Sequence, residues 1–134
     1  MADIEQLSEH ITDLNQKIKL LDEKELSHLY ELHELYYRLF TVMGDLVAEA
    51  LFMRDEAYME RKSVYAEVMS SEQGTIADKE AKAELTIKSY RHQENEANYL
   101  YSKYKSKQRS IDHKLYDIKA KRANMERELQ NTSK

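Results

Sequence analysis

The chain of 134 residues has no cysteine and no proline, and its only glycines are Gly44 and Gly74. The absence of cysteine excludes disulfide scaffolds, thiolate metal sites and cysteine nucleophiles. Because proline and glycine are the residues that most often interrupt helices, little in this chain would break a helix. Charged residues make up 34% of the chain, which is typical of long helices and coiled coils. We therefore expect an all-α fold.

Several kinds of functional motif are also missing. The sequence has neither an uncharged apolar run long enough to span a membrane nor the features of a signal peptide. This favours a cytoplasmic protein, located in the host cytoplasm if a phage encodes it. Glycine-rich phosphate loops, nucleophile elbows and HExxH motifs are absent. A single Glu25-x-x-His28 motif lacks the second copy that a helical dimetal site requires. We therefore expect no enzyme, no cofactor and no metal.

Charge is distributed unevenly along the chain. Residues 1–100 carry 11 Lys and Arg against 21 Asp and Glu, whereas residues 101–134 carry 10 against 4. The C-terminal third is therefore a basic segment attached to an acidic remainder.

The first segment has a regular heptad pattern. Isoleucine occupies every a position and leucine every d position, which favours a parallel two-stranded coiled coil. We therefore predict that residues 1–24 form a coiled-coil helix that drives oligomerisation. The alternative is that this heptad stripe folds back on the rest of its own chain. The heptad stripe consists of Ile4, Leu7, Ile11, Leu14, Ile18 and Leu21.

Residues 25–134 are expected to form a long antiparallel helical hairpin. The only clear break is SSEQGT, at about residues 70–75. Gly74 suits a left-handed turn there, and Thr75 with Asp78 resembles a capping box that begins the next helix. A connection this short joins neighbouring antiparallel helices. Because one such hairpin leaves apolar surface uncovered, we expect an oligomeric helical bundle.

The sequence YLYSKYKSKQRS, residues 99–110, interleaves tyrosines with basic residues. Rings that stack on bases and cations that contact phosphates are the components of single-stranded nucleic-acid sites. At helical periodicity, however, Tyr101 and Tyr104 fall on the apolar side of the helix, where we expect them to pack. That apolar side comprises Ala97, Leu100, Tyr101, Tyr104, Ile111, Leu115, Ile118 and Leu129.

The lysines of the same helix fall on a separate face, with Tyr99 at its edge. They lie within about 40° of one another on a helical wheel and can follow a phosphate backbone. An ordinary solvated lysine face would have the same pattern. This lysine ridge consists of Lys103, Lys107, Lys114 and Lys121.

A second basic feature precedes the loop, in the segment MRDEAYMERKSVYAEVM. Arg61 and Lys62 lie there between Tyr58 and Tyr65. Because many acidic residues surround these cations in the sequence, a structural network of salt bridges is the favoured interpretation.

The segment LYYRLFTVMGDLVAEALFMRDEAYMERKSVYAEVM, followed by a short polar loop and a long helix rich in tyrosine and lysine, resembles the UvsY-type recombination mediators of tailed phages. The resemblance covers about residues 35–125 and concerns the arrangement of these elements. It implies a helical protein that forms a ring-like homo-oligomer, binds single-stranded DNA and helps a recombinase displace single-strand-binding protein. It also implies a DNA-binding role for Arg61 and Lys62, the basic pair that precedes Tyr65.

Two functional hypotheses follow. In the first, the protein is a non-enzymatic accessory protein that binds single-stranded DNA and acts as a recombination mediator, with a recombinase and single-strand-binding protein as partners and no membrane association. Arg61, Lys62 and the lysine ridge would contact phosphates, and Tyr99 would stack on a base. In the second, it is a coiled-coil protein-interaction module, an adaptor, assembly factor or inhibitor, that binds through its acidic surface.

Overall fold

The computed structural model describes residues 4–71 and 73–132, which form three α-helices. Helix α1 spans Ile4–Lys19, α2 spans Leu26–Ser71 and α3 spans Ile76–Thr132. These residues contain no strand, which confirms the predicted all-α fold and the short connection between the two long helices. None of the helices in the described part of the chain combines the length and the apolar character needed to cross a membrane.

The helices contribute to two compact units. The first unit consists of Met1–Leu46 with Tyr104–Lys134, and the second unit consists of Val47–Lys103. This division differs from the predicted one into 1–24 and 25–134. Helix α1 shares a unit with the first part of α2 and the last part of α3 because its apolar stripe packs there.

The heptad stripe of α1 lies in the core of the first unit. Leu7 and Leu14 are buried in one cluster with Leu35 and Leu39 of α2. The other stripe residues pack on this cluster and are partly buried; they are Ile4, Ile11, Ile18 and Leu21. The stripe thus folds back on its own chain, which is the second of the two alternatives. A coiled coil between chains would require α1 to leave this core, and the oligomerisation role of the stripe stays a prediction.

The same unit contains a second cluster that joins α2 to α3. Leu29, Leu32 and Ile118 are almost completely buried there. Of the predicted packing residues, Tyr104 packs on the cluster that contains Leu7, and this confirms its assignment to the apolar side of α3. Leu129 was predicted on that side as well, but it lies near the end of α3 and is exposed.

Small side chains line the seam of the second unit. The buried residues of its two helices are Ala50, Ala57, Ala83, Ile87 and Ala97. Because the distance between packed helices depends on the side chains at the contact, alanines allow a close approach. Alanine also buries little apolar surface, and larger apolar residues of this unit, such as Met59 and Leu85, are exposed.

The connection between α2 and α3 has the predicted turn geometry. Gly74 has a φ of 132°, a conformation that residues with a Cβ rarely adopt. The backbone N–H of Asp78 donates a hydrogen bond to Oγ1 of Thr75 at 3.2 Å. This contact satisfies one of the free N–H groups at the start of α3, so Thr75 caps the helix as predicted.

Candidate nucleic-acid interface

Two lysines of the predicted ridge are bound to an acidic residue of their own chain. Glu23, in the connection between α1 and α2, places Oε1 at 2.6 Å from Nζ of Lys114 and Oε2 at 2.6 Å from Nζ of Lys121. Asp117, on the same helix as the lysines, lies 3.5 Å from the first ammonium group and 3.2 Å from the second. In the first unit, therefore, these two cations already have anionic partners.

The contacts of Glu23 shift the protonation equilibria of all three groups. Hydrogen bonds from the two ammonium groups lower the pKa of Glu23 below its ordinary value. The bond to Glu23 raises the pKa of Lys114, and bonds to Glu23 and Asp117 raise that of Lys121. Each shift favours the charged form, so Glu23 and the two lysines are all charged near neutral pH.

Local hydrogen bonds fix the backbone on both sides of Glu23. The N–H of Asp22 donates to Nδ1 of His28 at 2.9 Å, and the N–H of Lys24 donates to Oδ1 of Asp22 at 3.0 Å. These contacts use His28 as a hydrogen-bond acceptor, while its Nε2 lies 3.3 Å from Glu25. Across the described residues, no group of three or more potential ligands is placed to hold a metal ion.

The other two ridge lysines are exposed. Lys107 belongs to the first unit and Lys103 to the second. Neither makes an ion pair with any residue in the part of the chain that the structure describes. The four lysines predicted as one ridge therefore differ in availability, with two exposed and two engaged by Glu23.

Tyr99 and Lys103 form an exposed ring and cation pair in the second unit. The side chain of Tyr99 is 67% exposed, and Lys103 follows it by four residues in α3, on the same helical face. Tyr101, by contrast, lies under the guanidinium group of Arg54, whose Cζ is 4.9 Å from the ring centroid. Tyr101 therefore packs within the unit, as predicted, whereas Tyr99 offers its ring to solvent.

Arg61 and Lys62 have different environments. Nε of Arg61 donates a hydrogen bond to Oε2 of Glu94 at 2.6 Å, and both side chains are about one-fifth exposed. This agrees with the interpretation of Arg61 as part of a salt-bridge network. Lys62 is exposed, and its Nζ lies 5.0 Å from the ring centroid of Tyr58, a distance compatible with a cation–π contact.

The sequence did not reveal two of the residues that control these cations. Glu23 lies in DEKE, a charged stretch that follows the heptad stripe, and its partner Lys121 is 98 positions away. Glu94 is 33 positions from Arg61. The antiparallel hairpin alone predicts which stretches of α2 and α3 face each other, so it could have suggested Glu94, but it contains no information about the connection that carries Glu23.

The structure thus groups the predicted residues within each unit. Lys114 and Lys121 meet at Glu23 in the first unit. In the second unit, Arg61 and Lys62 both lie near the ring of Tyr58, and Tyr99 and Lys103 are exposed on one face of α3. A comparison with protein-family models, with curated proteins and with solved structures finds no match to the chain.

Proposed function

We propose that this protein is a non-enzymatic, cytoplasmic accessory protein that binds single-stranded DNA and assists recombinase loading. The observation that carries the proposal is the exposed pair formed by Tyr99 and Lys103. A ring open to solvent with a cation one turn away matches what a single strand offers, namely a base and the adjacent phosphate. The resemblance to UvsY-type mediators supports the same function.

Binding would combine stacking with phosphate contacts. Stacking of a base on Tyr99 would contribute about 1–3 kcal/mol, and it would tolerate any sequence because every base has a π face. Lys103, with Lys62 in the same unit and Lys107 in the first unit, would neutralise phosphates. The logarithm of the binding constant falls linearly with the logarithm of the salt concentration. On a single strand, each phosphate that the protein neutralises adds about 0.7 to the steepness of this slope.

Assembly would multiply these few contacts. Each chain offers a small number of exposed cations, and a homo-oligomer that repeats them along one strand raises the effective concentration of every further site. Exposed apolar residues such as Met59 and Leu85 are available for contacts between copies or with a recombinase or single-strand-binding protein. In this proposal the protein requires no cofactor.

The test is a titration of fluorescent oligo-dT at two salt concentrations. We expect Tyr99→Leu to weaken binding about 5- to 150-fold, which is the loss of one stacked base. Lys103→Gln should weaken binding and reduce the salt slope by about 0.7. Tyr116→Leu and Lys119→Gln are matched controls, because they change an exposed tyrosine and an exposed lysine on another part of α3. Binding by the Tyr99 and Lys103 variants that equals that of the controls would overturn the proposal.

The second candidate is a protein-interaction module. Its support is the exposure of Phe52, Met59 and Leu85 in the second unit, since burial of such apolar surface against a partner would be favourable. Light scattering tests it through self-association. If the wild type exceeds the mass of one chain, Met59→Ser with Leu85→Ser should lower that mass, whereas Tyr116→Ser should leave it unchanged.

A further inference from the structure

We propose that Lys114 and Lys121 form a phosphate-binding site that Glu23 occupies as an internal competitor. The strand would have to displace the Glu23 carboxylate before these lysines contact it. This inference rests on the proposed function, because it concerns how the same protein controls its affinity for single-stranded DNA. Glu23 would thus control how tightly this part of α3 binds single-stranded DNA.

The geometry of the carboxylate supports this reading. Each of its oxygens lies 2.6 Å from a different ammonium group, although the two lysines are separated by seven residues, or about 10 Å of helix. A phosphodiester also presents two oxygens that share one negative charge, and lysine binds phosphate as a point charge. A phosphate group could therefore bridge the same two ammonium groups.

Charge explains why the carboxylate must leave first. With Glu23 and Asp117 both in contact, the two lysines are fully neutralised and give the strand no net attraction. Removal of the Glu23 carboxylate leaves two cations against Asp117 alone, which is a net charge of +1. Both lysines are partly exposed, with side-chain exposures of 34% and 41%, so a strand can approach them from solvent.

The position of Glu23 makes displacement compatible with the fold. Glu23 lies outside the helices, between the end of α1 at Lys19 and the start of α2 at Leu26. The hydrogen bonds that hold this connection belong to the neighbouring residues Asp22, Lys24 and His28. Rotation of the Glu23 side chain away from the lysines therefore breaks its two ion pairs but leaves these hydrogen bonds of the connection in place.

A purely structural ion pair would have different consequences. If Glu23 only anchors the connection to α3, its removal should lower stability and leave the DNA affinity and its salt dependence unchanged. If Glu23 competes with phosphate, its removal should raise the affinity for DNA and make that affinity depend more steeply on salt. The salt slope separates the two roles because it counts the phosphates that the protein neutralises.

The experiment compares Glu23→Gln with Glu31→Gln in the oligo-dT titration. Both variants remove one negative charge, and Glu31 is an exposed residue of α2. We expect Glu23→Gln to bind about 2- to 30-fold more tightly than the Glu31 variant at low salt, which is the effect of releasing two exposed ion pairs. Its salt slope should be steeper by about 0.7, for the one further phosphate that the two lysines bridge. Adding Lys114→Gln and Lys121→Gln to the Glu23 variant should abolish the gain.

Glu23→Asp is the second variant, and it keeps the net charge. Its side chain is one methylene shorter, which weakens its contacts with the two ammonium groups, so we expect tighter binding of oligo-dT and a steeper salt slope here too. Circular dichroism verifies that each variant is folded. If the wild type binds and neither Glu23 variant differs from Glu31→Gln in affinity or slope, the inference is wrong and the proposed function stands. If neither the wild type nor any Glu23 variant binds, the proposed function fails and the inference fails with it.

Discussion

Arg61 of α2 and Glu94 of α3 form a hydrogen-bonded ion pair across the seam of the second unit. Nε of the arginine lies 2.6 Å from Oε2 of the glutamate, and both side chains are about one-fifth exposed. The core of this unit consists mainly of alanines, which bury little apolar surface. A charged pair that is shielded from water therefore has more influence on stability here than a surface salt bridge would have.

We expect Arg61→Gln to destabilise the protein by about 1–3 kcal/mol, because it leaves the Glu94 carboxylate without its charged hydrogen-bond donor. Urea denaturation measures this loss. Lys62→Gln is the control, since Lys62 is the exposed neighbour and should change stability by less than about 0.5 kcal/mol. An Arg61 variant of wild-type stability that binds oligo-dT less well would show instead that Arg61 acts on the strand.

Leu14 tests the packing of the heptad stripe within the chain. Its side chain is 1% exposed in the cluster that joins α1 to α2. We expect Leu14→Ala to cost about 2–5 kcal/mol of unfolding free energy, whereas Asn15→Ala, at an exposed position, should cost far less. The loss should be independent of protein concentration if the stripe packs inside one chain. A stability that rises with concentration would indicate that α1 contributes to an interface between copies.

Gly74 should not tolerate a side chain. Its φ of 132° lies in a region that L residues avoid, so strain arises whatever space surrounds the new Cβ. We expect Gly74→Ala to destabilise the protein by about 1–2 kcal/mol. Thermal unfolding measures the change, with Gln73→Ala as the control in the same connection. Equal stability of the two variants would contradict this expectation.

Replacement of Gly44 by alanine should stabilise the protein, in contrast to the same replacement at Gly74. It lies inside α2, where glycine costs about 1 kcal/mol relative to alanine. A Cβ at this position would meet Nε2 of Gln108 at 2.9 Å, which is the far end of a flexible side chain that can rotate away. We expect Gly44→Ala to stabilise the protein by up to about 1 kcal/mol, with a larger gain when Gln108 is also changed to Ala. Destabilisation in both backgrounds would show that α2 requires glycine there.

The ion pairs that Glu23 forms with Lys114 and Lys121 should make the stability of the protein depend on pH. The lowered pKa of Glu23 adds stability that is present above its ordinary value of 4.5 and lost as pH falls through the lower folded value. The raised pKa values of Lys114 and Lys121 add stability that is present below 10.5 and lost as pH rises through the higher folded values. The free energy of unfolding of the wild type should therefore exceed that of Glu23→Gln by a constant margin between about pH 5 and pH 10.

Urea denaturation of both proteins across this range measures the margin. It should be small, about 0.5–1 kcal/mol, because the groups are partly exposed and water screens them. It should shrink at both ends of the range, and Glu31→Gln should show no such profile. A margin that persists below pH 3 would mean that the difference comes from packing and not from charge.

The local chemistry of the sequence was enough to predict the helices. Without proline, only Gly74 and its polar neighbours could end α2, and Thr75 could accept a hydrogen bond from the start of α3; the structure has both features. Helical periodicity also assigned Tyr104 to the packed side of α3. These properties depend on residues within one or two turns of each other, so a single sequence contains all that is needed to predict them.

The tertiary structure alone decided which segments the apolar and charged helix faces contact. The heptad stripe could pack on another copy or on its own chain, and burial of Leu7 and Leu14 against α2 is one outcome of a pattern that allows both. The lysine ridge was predicted as one continuous face, yet Lys121 finds Glu23 at a separation of 98 positions. Periodicity shows which side of a helix is apolar or charged, but the partner of that side depends on contacts between distant segments, which only the folded chain brings together.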